Sequence, residues 1–408
     1  MTIRAADFPD LRLNRIEKLM KRFTTPPTLR LMTMFGQDNW DSDHIKYRTQ
    51  IGNRGMTPFV APGVPSPLIA PVGVGESEAY AAFWKEKMFF DEQLLNNLAD
   101  PANDQVIEMA QKRIARETMM LRNRCERRKE WMFAKMLTAG TITYKVQNGL
   151  KWAMSYGIPS DNIVDLGASL YWDDGVAKNI VNDVLDAKLA ISNANGGALV
   201  NMLLTTEILN IMLKDPGIQA LTTKSAFSTG QLFATPVPVL GALLGMPNIM
   251  IYDEQYQVKA WLTAAVTGSS TVSISVDDAT DFEVGDTLYF YDVSAGTKEG
   301  ETISAVDVNA GTITVSTAPT ASFKSGEDYV YVTKKYIPTT TVTLFCNEIE
   351  GEPIAEFANA PFGLGRNYGM KVDDHEEWDP DGIAIRVQNK GIPVLYQEDA
   401  VYILTVKD

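Results

Sequence analysis

The sequence predicts an α+β fold that carries a small all-β segment late in the chain. Three observations predict it. Over residues 103–137, Ile107, Ile114, Leu121, Cys125, Met132 and Met136 recur at steps of seven or four, the spacing of one helix face. Over 264–332 the chain turns to Val, Thr, Ser and Ile in period-two alternation, with almost no helical signal. Strong strand patterns then return at 340–345, 383–387 and 401–406.

The chain is 408 residues long, 45% apolar and 22% charged, which is globular composition and enough to bury a large core without staples. Lys and Arg number 37 against 51 Asp and Glu, a net charge of −14, so general nucleic-acid binding is disfavoured outside local basic patches. Two cysteines, Cys125 and Cys346, make neither a disulfide framework nor a four-ligand zinc site, and a reducing compartment is the simplest reading. No secretory signal opens the chain. The longest uncharged stretch, 225–252, is broken by Pro236, Pro238, Gly241, Gly245 and Pro247. It reads as buried loop and strand, not as a membrane span.

Taken in order, residues 1–48 carry nine basic and six acidic side chains, with a short basic helix expected before Pro26-Pro27. Residues 45–80 combine Pro58, Pro62, Pro65, Pro67 and Pro71 with apolar Met56, Phe59, Val60, Val64, Leu68, Ile69 and Val72. Proline at that density excludes helix and central strand, yet a hydrophilic linker would not be so apolar. An extended arm or hairpin with an apolar surface for a partner fits both facts. Residues 77–99 read as helix, ended by Asp100-Pro101.

The long helix at 103–137 follows, stopped by Gly140. Its other face is charged: nine Lys and Arg, among them Arg122, Arg124, Arg127, Arg128 and Lys129, against five Asp and Glu, including Glu126 and Glu130. A strand at 141–146 and the Asn148-Gly149 pair read as a hairpin. Residues 173–192 read as helix and 198–204 as buried strand. A helix capped by Thr205 or Thr206 runs to Lys214, and 248–252 is a further strand.

The β segment contains an internal repeat. Residues 271–290 align without gaps on 312–331, pairing Thr271 with Thr312, Ser275 with Ser316, Phe282 with Phe323 and Gly285 with Gly326. Each half reads strand, loop, Phe-x-x-Gly turn, strand. Charge divides along the chain: 259–335 and 372–408 each carry a net −6.

Chemical motifs are missing. No phosphate-binding Gly-x-x-x-x-Gly-Lys-Ser/Thr loop, His-Glu-x-x-His pair or Gly-x-Ser-x-Gly elbow occurs. Gly363-Leu-Gly365-Arg-Asn-Tyr-Gly369 has the wrong glycine spacing for a dinucleotide loop and reads as a tight loop. His375 lies among Asp373, Asp374, Glu376 and Glu377, read as a solvated acidic loop rather than a metal site. Cys125 reads as core packing. No catalytic, cofactor-binding or metal residue is assigned, and an enzyme is not expected.

Several segments resemble the lambda-type major capsid proteins of tailed phages (the capsid protein E family). Arg54-Gly-Met56-Thr57-Pro58-Phe59-Val60-Ala-Pro62-Gly63 is similar to an Ala-Pro-Phe-Val-x-Pro-Gly stretch of that family's extended loop, with Thr57 where Ala is common. Leu121-Arg-Asn-Arg124 on the long helix, with Thr138-Ala-Gly140-Thr-Ile-Thr143 after it, looks like the spine helix and the strand that follows. Met246-Pro-Asn-Ile-Met-Ile-Tyr252, Lys335-Tyr-Ile-Pro338, Gly391-Ile-Pro-Val394 and Ala400-Val-Tyr-Ile-Leu404 look like its later strands.

The resemblance implies the tailed-phage major capsid fold. Its parts here are an N-terminal arm (1–44), an extended loop (45–85) and a peripheral domain (86–165) with a spine helix. An axial domain follows (166–258, returning at 336–370), and closing peripheral strands end the chain (371–408). The β segment, 259–335, falls between two pieces that the family keeps close and therefore looks like an insertion. The resemblance further implies hexamers and pentamers closing an icosahedral shell around phage DNA, assembled in the host cytoplasm without cofactors or membrane. Decoration, scaffolding and portal proteins are its further partners. Some capsids of this fold cross-link through a loop lysine, but no lysine lies between Lys46 and Lys85. Met56, Pro58, Phe59, Val60 and Pro62 on the arm, and Arg122, Arg124, Arg127 and Arg128 on the helix, are the expected subunit-interface residues. An encapsulin-like cellular compartment is the alternative reading of the same fold.

Overall fold

The computed structural model describes residues 16, 18, 20, 22, 26–50, 56, 57, 59, 60, 65, 68, 74–99, 104–145, 151–173, 177–195, 200–225, 227–349, 351–363, 365–378 and 381–408. Regular structure starts with the helical turn α1 (Leu31–Met34) and strands β1 (Gly36–Asn39), β2 (His44–Gln50), β3 (Val74–Tyr80) and β4 (Ala82–Asp91). Helices α2 (Glu92–Ala99) and α3 (Asp104–Ala139) follow, then β5 (Thr141–Lys145), β6 (Lys151–Ser155) and β7 (Ile163–Asp165). Next come α4 (Ile180–Asn195), β8 (Val200–Leu204), α5 (Thr206–Lys214), α6 (Pro216–Lys224), α7 (Thr229–Ala234), α8 (Pro236–Leu244) and β9 (Asn248–Ile251). Six strands fill the β segment: β10 (Gln255–Trp261), β11 (Ser273–Ser275), β12 (Thr287–Tyr291), β13 (Lys298–Asp307), β14 (Thr312–Val315) and β15 (Tyr329–Lys335). The chain closes with β16 (Thr341–Cys346), the short pair β17 (Glu348–Ile349) and β18 (Glu352–Pro353), β19 (Ala355–Asn359), β20 (Lys371–Trp378), β21 (Asp381–Leu395) and β22 (Val401–Thr405). Among the described residues no helix is long and apolar enough to cross a membrane.

The chain divides into two compact units. The first holds 1–138, 156–251 and 340–408; the second holds 139–155 and 252–339.

In the first unit, β21 is the organising strand. Its fifteen residues pair with β4 over Gly382–Gly391, with β20 over Asp381–Gln388 and with β19 over Gly391–Leu395. Helix α3 packs on this sheet: Ile114, Leu121 and Cys125 share a buried cluster with Phe90, Leu94, Ile383, Ile385 and Val387. The face read from the periodicity is therefore the packed one, although Ile107 is only half-buried. Truncating one such residue, Leu121→Ala, would cost about 2–5 kcal/mol. Ile16 and Met20 join the same cluster, so this part of the basic arm lies on its own subunit. A second sheet runs β7-β22-β16-β8-β9, and all of β8 is buried.

Five expectations are corrected here. Residues 77–99 are not one helix: β3 and β4 precede α2, because β4 finds ten partners on β21, and such long-range pairing overrides local propensity. The helix expected from 173 begins at Ile180, where the Asn179 side chain accepts the Asn182 N–H at 3.3 Å. The 225–252 stretch is helical in two pieces, not loop. Ser228 and Gln231 form a reciprocal capping box for α7, and Pro236 starts α8 at a first-turn position where proline costs nothing. His375 is exposed on β20 rather than in a loop; the strand persists because β21 pairs it and Asp373 binds Lys371 and Arg386. Lastly, Glu126, Lys129 and Glu130, assigned to the charged face opposite the apolar one, are buried too, since the last turns of α3 are covered almost all round.

The second unit contains a β5–β6 antiparallel pair, whose turn at 146–150 lies outside the described residues, and a six-stranded sheet ordered β10-β15-β12-β13-β14-β11. The sheet closes on itself. Leu262, just past β10, bridges Val276, just past β11, and Thr263 N–H donates to Ser275 O at 3.0 Å. Its interior includes Leu262, Ile274, Phe282, Leu288, Phe290, Ile303, Phe323 and Val330. β10 and β15 run side by side over seven residue pairs, as expected for a segment that leaves and rejoins the chain at adjacent points.

The repeat is a pseudo-twofold in this barrel. Gly285 N–H donates to Ile303 O at 2.9 Å, and Gly326 N–H donates to Leu262 O at 2.8 Å. Both glycines have positive φ, 94° and 71°, and Phe282 and Phe323 are each 2% exposed. The offset is 41 on both sides (303 − 262 and 326 − 285). β10 and β13 thus belong to the repeat, which the sequence alignment did not include. The gapless alignment needs one correction. Asp286 accepts the Glu283 N–H, and Asp328, not Glu327, accepts the Lys324 N–H. One extra residue sits in the second turn, so buried Leu288 and Phe290 match buried Val330 and Val332. Without it, every side chain would swap faces.

Candidate functional site

Two surfaces carry the expected interface residues, the arm between β2 and β3 and the charged part of α3. β2 and β3 pair from His44↔Tyr80 to Gln50↔Val74, so the chain leaves this ribbon at 51 and returns at 73. The ribbon is amphipathic because strand side chains alternate. Ile45, Tyr47, Thr49 and Ala79 are buried, while Lys46, Arg48, Glu76 and Glu78 are exposed, with Lys46 opposite Glu78 and Arg48 opposite Glu76. The Tyr47 ring meets Tyr396 edge-on at 6.0 Å. Burial, and then the nearby Glu398 carboxylate, push the Tyr47 hydroxyl up to about 12. At the ribbon's start the His44 ring stacks on Tyr80 at 4.6 Å, and its Nε2 lies 2.8 Å from Glu78. The ribbon is thus fastened on one side.

Beyond the ribbon the picture reverses. Met56, Phe59 and Leu68 are 89%, 106% and 101% exposed, and Val60 is exposed as well. Pro58 and Pro62 lie outside the described residues. Exposing a whole phenylalanine forgoes on the order of 2 kcal/mol of burial free energy.

On α3 the four arginines do not form one cluster. At 100° per residue, Arg124, Arg127 and Arg128 fall within about a third of the helix circumference, and Arg122 lies off that face. Arg124 is engaged inside the chain: its guanidinium grips Glu86 of β4 at 2.7 and 2.5 Å. The Arg128 guanidinium lies 5.3 Å from the centre of the Trp131 ring. Arg127 is exposed and has no ion-pair partner among the described residues. Two neighbouring ion pairs, Lys112–Glu108 at 2.6 Å and Arg113–Glu117 at 2.8 Å, are ordinary surface pairs one helical turn apart.

One functional contact was invisible to periodicity. Buried Glu130 accepts the Leu31 and Met32 N–H groups at 2.9 and 2.8 Å, closing the open start of α1 with a carboxylate. Beside it, Lys129 lies 5.1 Å from the Phe357 ring centre and 3.5 Å from the Gln37 side-chain oxygen. Together they tie the 31–39 segment to the helix. The sole sequence signal is charge persisting into a stretch flanked by Met132, Phe133, Met136 and Leu137.

Among the described residues no three His, Cys, Asp or Glu side chains converge as metal ligands. The Trp84 indole N–H donates to the Cys125 sulfur at 3.1 Å, and burial raises that thiol to about 12 and Cys346 to about 11. The 363–369 segment is a tight loop, with Phe362 bridging Asn367 and Gly363 at φ 68°.

Comparison with known proteins completes the description. The family model for phage major capsid protein E matches residues 15–289, about two thirds of the chain. No curated protein matches in sequence. A protein described as the capsid protein of an E. coli prophage shares the fold, with a TM-score of 0.52 at 12% identity over 97% of this chain and 98% of that one. A phage-related protein from Bordetella bronchiseptica aligns at a TM-score of 0.47 and 12% identity, covering 96% and 95%. An encapsulin from Synechococcus elongatus aligns at 0.39 and 9% identity, covering 96% and 95%.

Proposed function

The chain belongs to the phage major capsid protein E family, and from that premise we propose how its subunit builds a shell. It is a structural protein of the phage virion, and it associates with copies of itself to form the capsid. The finer reading is as follows. Subunits form hexamers and pentamers that close an icosahedral shell around double-stranded DNA in the host cytoplasm. The subunit does no catalysis. The 51–73 arm lies across a neighbouring subunit and buries Met56, Phe59 and Val60 there, with Pro58 and Pro62 holding the chain extended. Arg127 and Arg128, with Arg122, meet carboxylates of neighbours or the packaged DNA. Arg124 is already occupied by Glu86 and contributes least. The division into peripheral and axial domains, and the 259–335 barrel as an insertion on the outer surface, belong to the same reading. The barrel's net −6 disfavours a place beside DNA. Decoration, scaffolding and portal proteins are its further partners.

A single observation carries the assembly reading: Phe59 and Leu68 are wholly exposed on an excursion whose base is packed. An isolated soluble subunit gains nothing from that arrangement, and a subunit with copies beside it does. The encapsulin alternative is weaker, because the family model that matches is a phage capsid model. The test is expression of the chain alone and with 55–72 deleted, followed by negative-stain microscopy. Closed shells from the full chain and soluble unassembled subunits from the deletion are expected. Normal shells from the deletion would refute the arm's role.

A further inference from the structure

A cleft opens at the foot of the β2–β3 ribbon, at the end opposite the arm. Asp43, just before β2, and Phe83, on β4, line one side of it. Pro361, Phe362 and Arg366, from the tight loop after β19, and Lys390 of β21 line the rest. Its volume is about 490 Å³. That lies within the range of about 300–1,000 Å³ typical of small-ligand pockets and is ample for one aromatic side chain. The Phe83 and Phe362 rings meet at a tilt with centres 6.0 Å apart, and Phe83 keeps about half its surface exposed.

The walls are set before anything binds. Phe362 and Asn367 exchange backbone hydrogen bonds at 3.1 and 2.9 Å. Arg366 takes a φ of 46°, a left-handed conformation that arginine rarely adopts. Its guanidinium holds that turn by donating to the Asp41 carbonyl at 2.8 Å and to the Asp41 carboxylate at 3.3 Å, and Asp41 also accepts the Tyr368 hydroxyl at 3.1 Å. A preformed pocket has little ordering cost on binding. Its charges are already paired: Lys390 lies 2.5 Å from Asp43, as Arg366 does at 3.3 Å from Asp41. Two cations and two carboxylates cancel, which leaves an aromatic cleft suited to an uncharged occupant.

The matching occupant is in this sequence. Residues 51–73 hold a single charged side chain, Arg54, where 22% of the whole chain is charged. Within them Phe59 is wholly exposed, so it does not fill the cleft of its own subunit. The ribbon runs six residue steps from His44 to Gln50. At about 3.3 Å per step its two ends lie about 20 Å apart. Plug and cleft are therefore different patches of one subunit. Contact between them is head-to-tail, the kind that closes rings, whereas a twofold contact would use one patch twice.

We propose that this cleft is the socket that receives Phe59 from the arm of the next copy of this chain. The proposal rests on the reading above that the arm lies across a neighbour, and it adds where the arm is seated. An aromatic side chain held in a pocket is a common anchor of protein interfaces.

The test measures the subunit concentration at which shells begin to form, for wild type, Phe59→Ala, Phe83→Ala and the double variant. Each single change should raise that threshold about ten-fold, and the double change no further than the larger single one, because both remove the same contact. The subunit's melting temperature should stay nearly unchanged. A second readout traps the contact. Shells are formed from an equal mixture of subunits carrying Phe59→Cys alone and Phe83→Cys alone, then oxidised with copper phenanthroline. The native Cys125 and Cys346 are buried. Covalent dimers are expected from the mixture, well above the level from either variant by itself. Should Phe83→Ala lower the melting temperature, the mixed-cysteine shells alone decide. Additive effects, an unchanged threshold for Phe83→Ala, or no dimers from the mixture each overturn the socket, and the arm reading survives if Phe59→Ala still weakens assembly. An unchanged threshold for Phe59→Ala refutes the role of that side chain in the arm and the socket with it. Failure of the wild-type chain to form shells refutes the assembly reading on which both depend.

Discussion

Two segments leave the chain and rejoin it through antiparallel strand pairs: 51–73 between β2 and β3, and 262–328 between β10 and β15. The longer one encloses a core, with Phe282, Phe290, Phe323 and Leu288 all at most 2% exposed. The shorter one turns Phe59 and Leu68 wholly outward. An excursion with its own core buries its apolar side chains without a partner. Side chains exposed in the way of Phe59 and Leu68 lower their free energy only against something else, and under the proposed assembly that something is the next copy. Similar apolar residues are thus enclosed in one segment and turned outward in the other.

The contrast can be broken most sharply at the arm. Deleting 55–72 should abolish closed shells while leaving the subunit's melting temperature nearly unchanged, read by microscopy and calorimetry. A drop of more than a few degrees would mean that the arm packs on its own subunit. Next in size, Phe282→Ala removes a core ring and should cost about 3–5 kcal/mol. Hydrogen exchange should accelerate in 255–335 and stay slow in β8 and β16. Uniform acceleration would show that the barrel does not fold as its own unit. Phe59→Ala is the matching control: subunit stability should move by under about 0.5 kcal/mol, since an exposed side chain loses nothing in the subunit, while assembly weakens. The smallest effect is on pH. Cys125 holds its proton in the folded state up to about 12, whereas an unfolded thiol releases it near 8.5. The raised value makes this contribution complete below about pH 8.5 and progressively lost above it. Wild type should lose stability as pH climbs from about 8.5 towards 12, and Cys125→Ala should lose less over that range. Parallel curves would refute the burial assigned to this thiol.

Legibility followed the range of the interactions. The α3 helix and the barrel strands were readable because local periodicity encodes them. β4 was not, since its strand state depends on ten partners on β21, near the other end of the chain. The alternation in 82–91 is weak: Phe83, Lys85 and Lys87 are exposed, but so is Glu86. The exposure of Met56, Phe59, Val60 and Leu68 agrees with the apolar surface that composition suggested. The Glu130 clamp was not, because its partners lie 98 and 99 residues away and a buried carboxylate looks like a solvated one in sequence. The repeat was found, yet its register failed by one residue in the second turn, where the side chain that closes the turn is Asp328.

The pairing of β10 with β15 also bears on the order of events during folding. β9 and β16 flank the same strand, β8, on opposite sides, so the chain must leave at Ile251 and come back at Thr341 before that sheet can close. As an unstructured loop, this would be a closure of roughly ninety residues. Once the barrel has formed, its paired ends leave only a handful of free residues to close. The logarithmic law for loop entropy puts the saving at about 2 kcal/mol. A barrel that folded first would therefore act as a clip in the kinetic sense, bringing β16 to β8 and speeding closure of the sheet.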